Sequence, residues 1–189
     1  MTEADKTIAQ APDKVAPPDS TEPADPRETG RQLRPGLWHT INERYPGSMI
    51  TKDSSVRLAP LQAPLGRSRM TLISSCGVHL KTDKPLDVCH PFGDFSFRRV
   101  PSSAKQDQLI IHQLKYPHDD ADLDINVVFP IERLQEVVGE KRLGGLTENF
   151  FSFIGYNMDP ERFERTIARG IADAVVNEEK ADVALLVPA

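Results

Sequence analysis

The stretch Asp182-Val183-Ala184-Leu185-Leu186-Val187-Pro188-Ala189 decides the fold class. Its short apolar run, rich in branched side chains, is typical of a buried parallel strand. The segment before it carries apolar residues four positions apart, at Phe163, Ile167, Ile171 and Val175. This spacing predicts an amphipathic helix with one face against a sheet. Because a helix that leads into a strand is half of a crossover between parallel strands, the sequence predicts a parallel sheet.

Helix and strand signals also alternate in the preceding sequence. Asp159-Pro160-Glu161 combines a helix N-cap, a proline at the first helical position and an early acid, which predicts a helix start. Pro130 is predicted to open another helix, directly after a predicted strand at residues 125–129. Two further strands are predicted, at residues 70–80 and 108–114. The fold class is therefore predicted as α/β, a mainly parallel sheet covered by helices and incomplete at its C-terminus.

The N-terminal segment differs in composition from the rest of the chain. Residues 1–35 contain six of the 16 prolines and hardly any large apolar side chain. Such a segment cannot bury enough surface to offset the entropy lost on ordering, so it is predicted to be a disordered extension. The first apolar anchors are Leu37, Trp38 and Ile41. The α/β domain is accordingly predicted to span residues 36–189.

Charge and composition argue against several classes of protein. The formal net charge of -5 disfavours nucleic-acid binding, which needs a basic surface. No apolar stretch is long enough for a bilayer and the N-terminus lacks a signal-peptide pattern, so a cytoplasmic protein without a membrane partner is predicted. The His and Cys spacings match no familiar zinc pattern, and no metal ligand is predicted. Dinucleotide, P-loop and G-x-S-x-G motifs are missing too.

Polar residues follow the first predicted strand. His79 lies at its end, with Lys81 and Asp83 directly after it. An imidazole, an ammonium and a carboxylate can therefore converge on a crevice that binds a carboxylated substrate, or they can form only a hydrogen-bonded loop cluster.

Two other features have structural interpretations. Residues 117–126 are predicted to be a solvated acidic loop in which Asp124 and Asn126 pin the following strand, since the glycine and glutamate of a calcium loop are missing. Cys76 and Cys89 are predicted to be reduced, inert thiols. A thiol enzyme that uses one of these cysteines is an alternative.

Five blocks of sequence, in order and at matching spacing, resemble a known family. The blocks are Gly77-Val78-His79-Leu80-Lys81, Gly93-Asp94-Phe95-Ser96-Phe97-Arg98, residues 122–130, Phe151-Ser152-Phe153-Ile154-Gly155-Tyr156 and residues 182–189. They resemble the glycine, sarcosine, betaine and D-proline reductase family, specifically its selenoprotein B type subunit. The resemblance covers about residues 36 to 189.

The resemblance implies reductive cleavage of a carbon-nitrogen bond by a selenolate or thiolate that attacks the carbon next to the carboxyl group. In the family, the nucleophile directly follows the strand that resembles Val183–Val187, and a second cysteine comes a few residues later. We therefore expect a selenocysteine codon directly after Ala189. The resemblance also implies other reductase subunits as partners, one of them with a pyruvoyl group that holds an amino substrate as a Schiff base. No cofactor is predicted in this chain itself.

The family blocks suggest a set of site residues. His79, His112 and Asp124 are predicted to be catalytic, with one of the two histidines as proton carrier. Lys81 is predicted to bind the substrate carboxylate. These 189 residues alone are expected to be inactive. The alternative function is a noncatalytic binding or regulatory α/β module of a larger assembly.

Overall fold

A computed structural model describes Glu43, Arg44, Pro46 and residues 59–189. The predicted disordered extension, residues 1–35, lies outside the described residues. The predicted anchors Leu37, Trp38 and Ile41 do so as well. The fold described below is therefore that of the sequence from residue 59 onward.

The central strand of the sheet is β1 (Arg69–Ser74), which has parallel neighbours on both sides. On one side, β5 (Gly145–Leu146) pairs with its start and β6 (Asn149–Phe153) with its end. On the other side, β7 (Val183–Val187) pairs along most of its length. β3 (Phe97–Pro101) adds to β6 in the antiparallel direction. The prediction of a mainly parallel sheet is confirmed, and the carboxyl ends of β1, β6 and β7 lie at the same end of the sheet.

A two-stranded antiparallel ribbon, formed by β2 (Val78–Leu80) and β4 (Leu109–Ile111), accompanies the sheet. β2 is separate from β1 because the chain turns at Gly77, which has a φ of 74°. A β-carbon at this position would lie 2.4 Å from the carbonyl oxygen of His112. Only glycine combines this backbone conformation with such a close approach. The turn brings the end of β4 against the chain that leaves β1.

Helices cover the sheet. α1 (Asp119–Leu123) and α2 (Ile131–Gly139) lie in the middle of the sequence. A long helix follows at residues 160–178 and contains α3 (Pro160–Phe163), a π-helical turn (Glu164–Ala168), α4 (Arg169–Asp173) and a second π-helical turn (Ala174–Glu178). The predicted helix starts at Pro130 and Asp159 are confirmed. Among the described residues, no helix combines the length and apolar character needed to cross a bilayer.

The two faces of the sheet have different partners, since successive strand residues point to opposite sides. One face packs against the long helix through Ile73, Phe97, Phe151, Phe153, Ile167 and Ile171. The other face packs against α2 and the ribbon through Leu72, Phe150, Leu185, Val78, Phe129, Ile131 and Leu134. The sheet is therefore the middle layer of three.

One strand prediction is wrong and another is only partly right. No strand forms at residues 125–129: Ile125–Val127 forms a 3-10 turn, because Asp124 caps it by accepting the N–H of Asn126. The predicted strand at residues 108–114 is shortened to β4, since the chain after it turns toward α1.

Two predictions about exposure and order need correction. The strand β7 is present and parallel, but it is not buried: Leu186 is 68% exposed, because β1 is its pairing partner and its other edge is unpaired within residues 59–189. The predicted acidic loop at residues 117–126 contains α1, because the backbone carbonyls of His118 and Asp120 accept the N–H groups of Asp122 and Asp124.

Candidate functional site

The structure brings two of the predicted site residues, His79 and His112, into direct contact. Nε2 of His79 lies 2.7 Å from Nδ1 of His112, and Nδ1 of His79 lies 2.7 Å from the carbonyl oxygen of Leu80. Since a carbonyl oxygen can only accept, Nδ1 of His79 carries the proton in the neutral ring. Its Nε2 then accepts the proton of His112 Nδ1, and Nε2 of His112 keeps the free lone pair.

Burial disfavours the charged form of His112. His79 is fully buried on β2. The pKa of His112 is lowered, first by burial and then by the neighbouring His79. Both causes disfavour the charged ring. The pair is therefore better suited to accept a hydrogen bond through Nε2 of His112 than to supply a proton.

The other two predicted site residues have different surroundings. Lys81 has an exposed side chain, and its backbone N–H donates to the carbonyl of Gln108 at 2.9 Å. Asp124 accepts the backbone and side-chain N–H groups of Asn126 at 3.0 and 2.8 Å, and these hydrogen bonds lower the pKa of Asp124. Asn126 in turn accepts the N–H of Glu132 at the start of α2. The contacts of Asp124 are those of a capping residue. The catalytic role of Asp124 and the substrate-binding role of Lys81 stay predictions.

A pocket of about 320 Å³ lies at the carboxyl ends of β1 and β7. Its lining consists of residues 116–121, Val127 and Val128, together with Ala189 just beyond β7. The hydroxyl of Ser74, at the end of β1, donates to the carbonyl of Val128 at 2.9 Å and fastens this wall to the sheet. Ligands of open α/β sheets bind beyond the carboxyl ends of parallel strands, so this pocket is the candidate functional site.

Ser75 fixes the backbone at the rim of this pocket. Its hydroxyl accepts the N–H of Ala189 at 2.9 Å and donates to the Ala189 carbonyl at 3.3 Å. Its own N–H donates to the carbonyl of Val187 at 3.2 Å. The chain after β7 is therefore held against the end of β1.

Two side chains in or beside the pocket form a hydrogen-bonded pair that the sequence interpretation missed. Nδ1 of His118 lies 2.8 Å from Oδ2 of Asp122, four residues later. The ring of Tyr116 packs edge-on against His118, with 5.8 Å between the ring centroids. The available sequence signal was the His-x-x-x-Asp spacing, which places both side chains on one face of a helical turn.

Tyr116 links this pair to the end of β1. Its hydroxyl donates to the carbonyl of Cys76 at 3.0 Å. Burial above all, and then the neighbouring Cys76 and Asp122, raises the pKa of Tyr116 well above its usual range. The phenol therefore stays protonated, as a hydrogen-bond donor that holds the aromatic ring in place.

The two cysteines have opposite environments. Cys76 is fully buried, its Sγ lies 3.8 Å from the hydroxyl of Ser152, and burial raises the pKa of its thiol. A raised pKa disfavours the reactive thiolate. Cys89 is exposed. In the part of the chain that the structure describes, there is no group of three or more His, Cys, Asp or Glu residues suited to hold a metal ion.

Fold and site together define an α/β protein with a pocket at the carboxyl ends of its parallel strands. No family model matches the chain, and no solved structure matches it. The chain is similar to the D-proline reductase subunit gamma of Acetoanaerobium sticklandii, with 30% identity over 127 residues. The match covers 67% of this chain and 51% of the relative, so the chain spans about half the length of the curated relative that it matches.

The chain is thus related to a reductase subunit, which confirms the coarser part of the predicted resemblance. The selenoprotein B type stays a prediction.

Proposed function

We propose that the protein is a subunit of a reductase that cleaves a carbon-nitrogen bond in a small substrate of the glycine, sarcosine, betaine or D-proline type. The observation that carries this proposal is the 30% identity to a D-proline reductase subunit. Other reductase subunits are the proposed partners. The proposal goes further than the similarity to a reductase subunit, because that similarity shows neither the substrate nor the selenoprotein type.

The pocket at the carboxyl ends of β1 and β7 is the proposed substrate site. At about 320 Å³, it is near the lower end of the range for small-molecule sites. It joins an apolar part, formed by Val127 and Val128, to polar side chains that include His118. The apolar part suits the hydrocarbon portion of a substrate such as D-proline, and the polar part suits its charged groups.

The nucleophile is proposed to be a selenocysteine or cysteine that follows β7. Ala189 lines the pocket and is held by Ser75, which supports a reactive group at this position. Attack forms a bond from selenium or sulfur to the substrate carbon and breaks the carbon-nitrogen bond, whose electron pair goes to the nitrogen. The thiolate of a second cysteine then bonds to the selenium or sulfur. The electron pair of the bond between that atom and the substrate carbon stays on the carbon, which gains a proton. An external dithiol reduces the resulting selenium-sulfur or disulfide bridge.

A pyruvoyl group on a partner subunit is part of the proposal. When present, it would hold an amino substrate through the substrate nitrogen. Because it belongs to the partner, no residue of this chain is assigned to bind it.

The test is an assay of the complete gene product together with its partner subunits. D-proline, glycine, sarcosine and betaine are supplied separately with a dithiol, and the released amine or opened ring is measured by mass spectrometry. We expect cleavage of at least one substrate, and its loss when the dithiol is omitted. If the subunits assemble and none of the four is cleaved, the proposal is wrong, and a noncatalytic binding module becomes the better interpretation.

A further inference from the structure

We propose that His118 is a catalytic acid-base residue of the strand-end pocket and that Asp122 is the residue that positions it. The inference rests on the proposed function and deepens it. Neither residue belongs to the site that the sequence predicted. The observation behind it is the hydrogen bond between His118, which lines the strand-end pocket, and Asp122, which lies beside the pocket.

The hydrogen bond to Asp122 determines which nitrogen of His118 is available. An ionised carboxylate can only accept, so Nδ1 of His118 carries the proton that lies between the two groups, 2.8 Å from the carboxylate oxygen. Nε2 is then the nitrogen that exchanges a proton with a ligand. This is the arrangement by which a carboxylate fixes the tautomer of a catalytic histidine.

The ring of His118 is also held by its neighbours. Tyr116 packs edge-on against it and is itself tied to the carbonyl of Cys76. The side chain of His118 is 26% exposed, whereas that of Asp122 is 54% exposed. The imidazole is therefore the more enclosed member of the pair, as a group that acts on a bound ligand must be.

The charges of this wall indicate which end of the substrate it faces. Asp119 and Asp120 line the same pocket as His118, and Asp122 lies beside them on α1. Three carboxylates repel the carboxylate of an amino acid and attract its positively charged nitrogen. The nitrogen is therefore the end that lies next to His118.

The neighbouring histidine pair is less suited to this task. Both nitrogens of His79 are engaged in hydrogen bonds. Burial and His79 also lower the pKa of His112, which makes His112 a poor holder of the proton to be donated. His118 has a carboxylate partner instead.

The proton transfer completes the second step of the proposed reaction. In the first step the positively charged nitrogen takes the electron pair of the carbon-nitrogen bond and leaves as a neutral amine. In the second step the second cysteine takes the selenium or sulfur, the electron pair of the broken bond stays on the substrate carbon, and Nε2 of His118 donates a proton to that carbon and becomes neutral. The ring regains a proton from solvent, because the pocket is open, and Asp122 keeps accepting the N–H of Nδ1.

The test uses the complete protein with its partner subunits and compares variants by kcat and KM. His118→Gln is expected to lower kcat by about 100-fold, and Asp122→Asn by about 10-fold, with KM changed less than about twofold. Asp122→Glu should recover part of the loss, since it restores a carboxylate. The matched control is Asp173→Asn, an exposed aspartate on the long helix, which should leave kcat unchanged.

A second measurement separates a chemical role from a structural one. Added imidazole should restore part of the activity of His118→Ala, because a free imidazole can enter the vacated space and carry the proton. A variant damaged in its fold does not respond in this way.

The outcomes distinguish this inference from the proposed function. If the wild-type assembly is active and His118→Gln keeps kcat within about twofold, the role of His118 is wrong and the proposed function stands. Loss of activity in His118→Ala without any response to imidazole also overturns the role. If the wild-type assembly cleaves none of the four substrates, the proposed function fails and the catalytic role fails with it.

Discussion

The consecutive residues Ser74, Ser75 and Cys76, at and just after the end of β1, have different structural roles. Ser74 points to the α2 face and fastens the pocket wall through Val128. Ser75 holds the backbone of Ala189. Cys76 is sealed in the interior beside Ser152. At this scale, burial and hydrogen bonding decide the structural role of each polar side chain, and residue type alone does not.

Alkylation should distinguish the two cysteines. In the folded chain, iodoacetamide is expected to modify Cys89 rapidly, because it is exposed, and to leave Cys76 unmodified, because its thiol is buried and its pKa is raised. Peptide mass spectrometry measures both rates, and denatured protein is the control in which both react. Fast labelling of Cys76 in the folded chain would restore the thiol-enzyme alternative for that residue.

His112 should make stability depend on pH. The pKa of His112 is lowered in the folded chain, so below about pH 6.5 the unfolded chain binds more protons than the folded one. Stability is then complete above that pH and falls as the pH drops toward the folded pKa. From about pH 7.5 to about pH 5.5, the urea midpoint should fall by less in His112→Asn than in wild type. Equal falls in the two proteins would contradict this.

At the scale of elements, the long helix is specified by its first turn and by its apolar stripe. Asp159 accepts the N–H of Arg162 at 2.9 Å, and Pro160 occupies the first helical position. Ile167 and Ile171 then pack against Phe151 of the sheet. Local start signals and the buried stripe agree, so the helix forms where the sequence predicts it.

Removing the cap should destabilise the fold by a modest amount. Asp159→Ala leaves an N–H at the start of the long helix without its partner, and we expect a loss of about 1 kcal/mol in the free energy of unfolding. The comparison is Asp173→Ala, an exposed position late in the same helix, which should change stability by less than about 0.5 kcal/mol. Urea unfolding followed by circular dichroism measures both. Equal effects would mean that the cap contributes nothing.

At the scale of the whole molecule, the region around β7 exposes apolar side chains next to the sheet. Leu186 is 68% exposed and Val176, on the long helix, is 65% exposed. Between the long helix and the sheet lies an apolar groove of about 360 Å³ that Ala184 of β7 also lines. Among residues 59–189 no strand pairs with the outer edge of β7, and an unpaired edge next to apolar surface favours association between chains.

A charge on the exposed edge should reduce this association. Leu186→Glu is expected to raise the chain concentration at which larger species form, because a charged side chain disfavours edge-to-edge pairing. Sedimentation velocity over a concentration series measures it. The matched control is Leu123→Glu on α1, where an 81% exposed leucine lies away from the sheet edge and should have little effect. If that concentration rises equally in both variants, exposed leucine in general, and not the edge of the sheet, drives association.

Sequence reasoning located two of the four parallel strands of the described sheet, β1 and β7, and only part of the site. The helix starts at Pro130 and Asp159 and the strand at Val183–Val187 carry strong local signals, and all three are found. β3, β5 and β6 were missed as strands, because short segments such as Gly145–Leu146 lack a periodic pattern. In the site, His79 and His112 were both named, but their contact depends on the register of the β2–β4 ribbon, which pairs His79 with Ile110.

The sequence by itself determined the parallel α/β class, the long helix and the final strand, because N-caps, prolines and apolar spacing act over a few residues. It also contained the His118 and Asp122 spacing, which is local. Only the tertiary structure decided that β7 is an edge strand, that the chain breaks at Gly77, and that His118 lies in the same pocket as Ala189. These features depend on contacts between residues far apart in the chain, and local patterns do not encode such contacts.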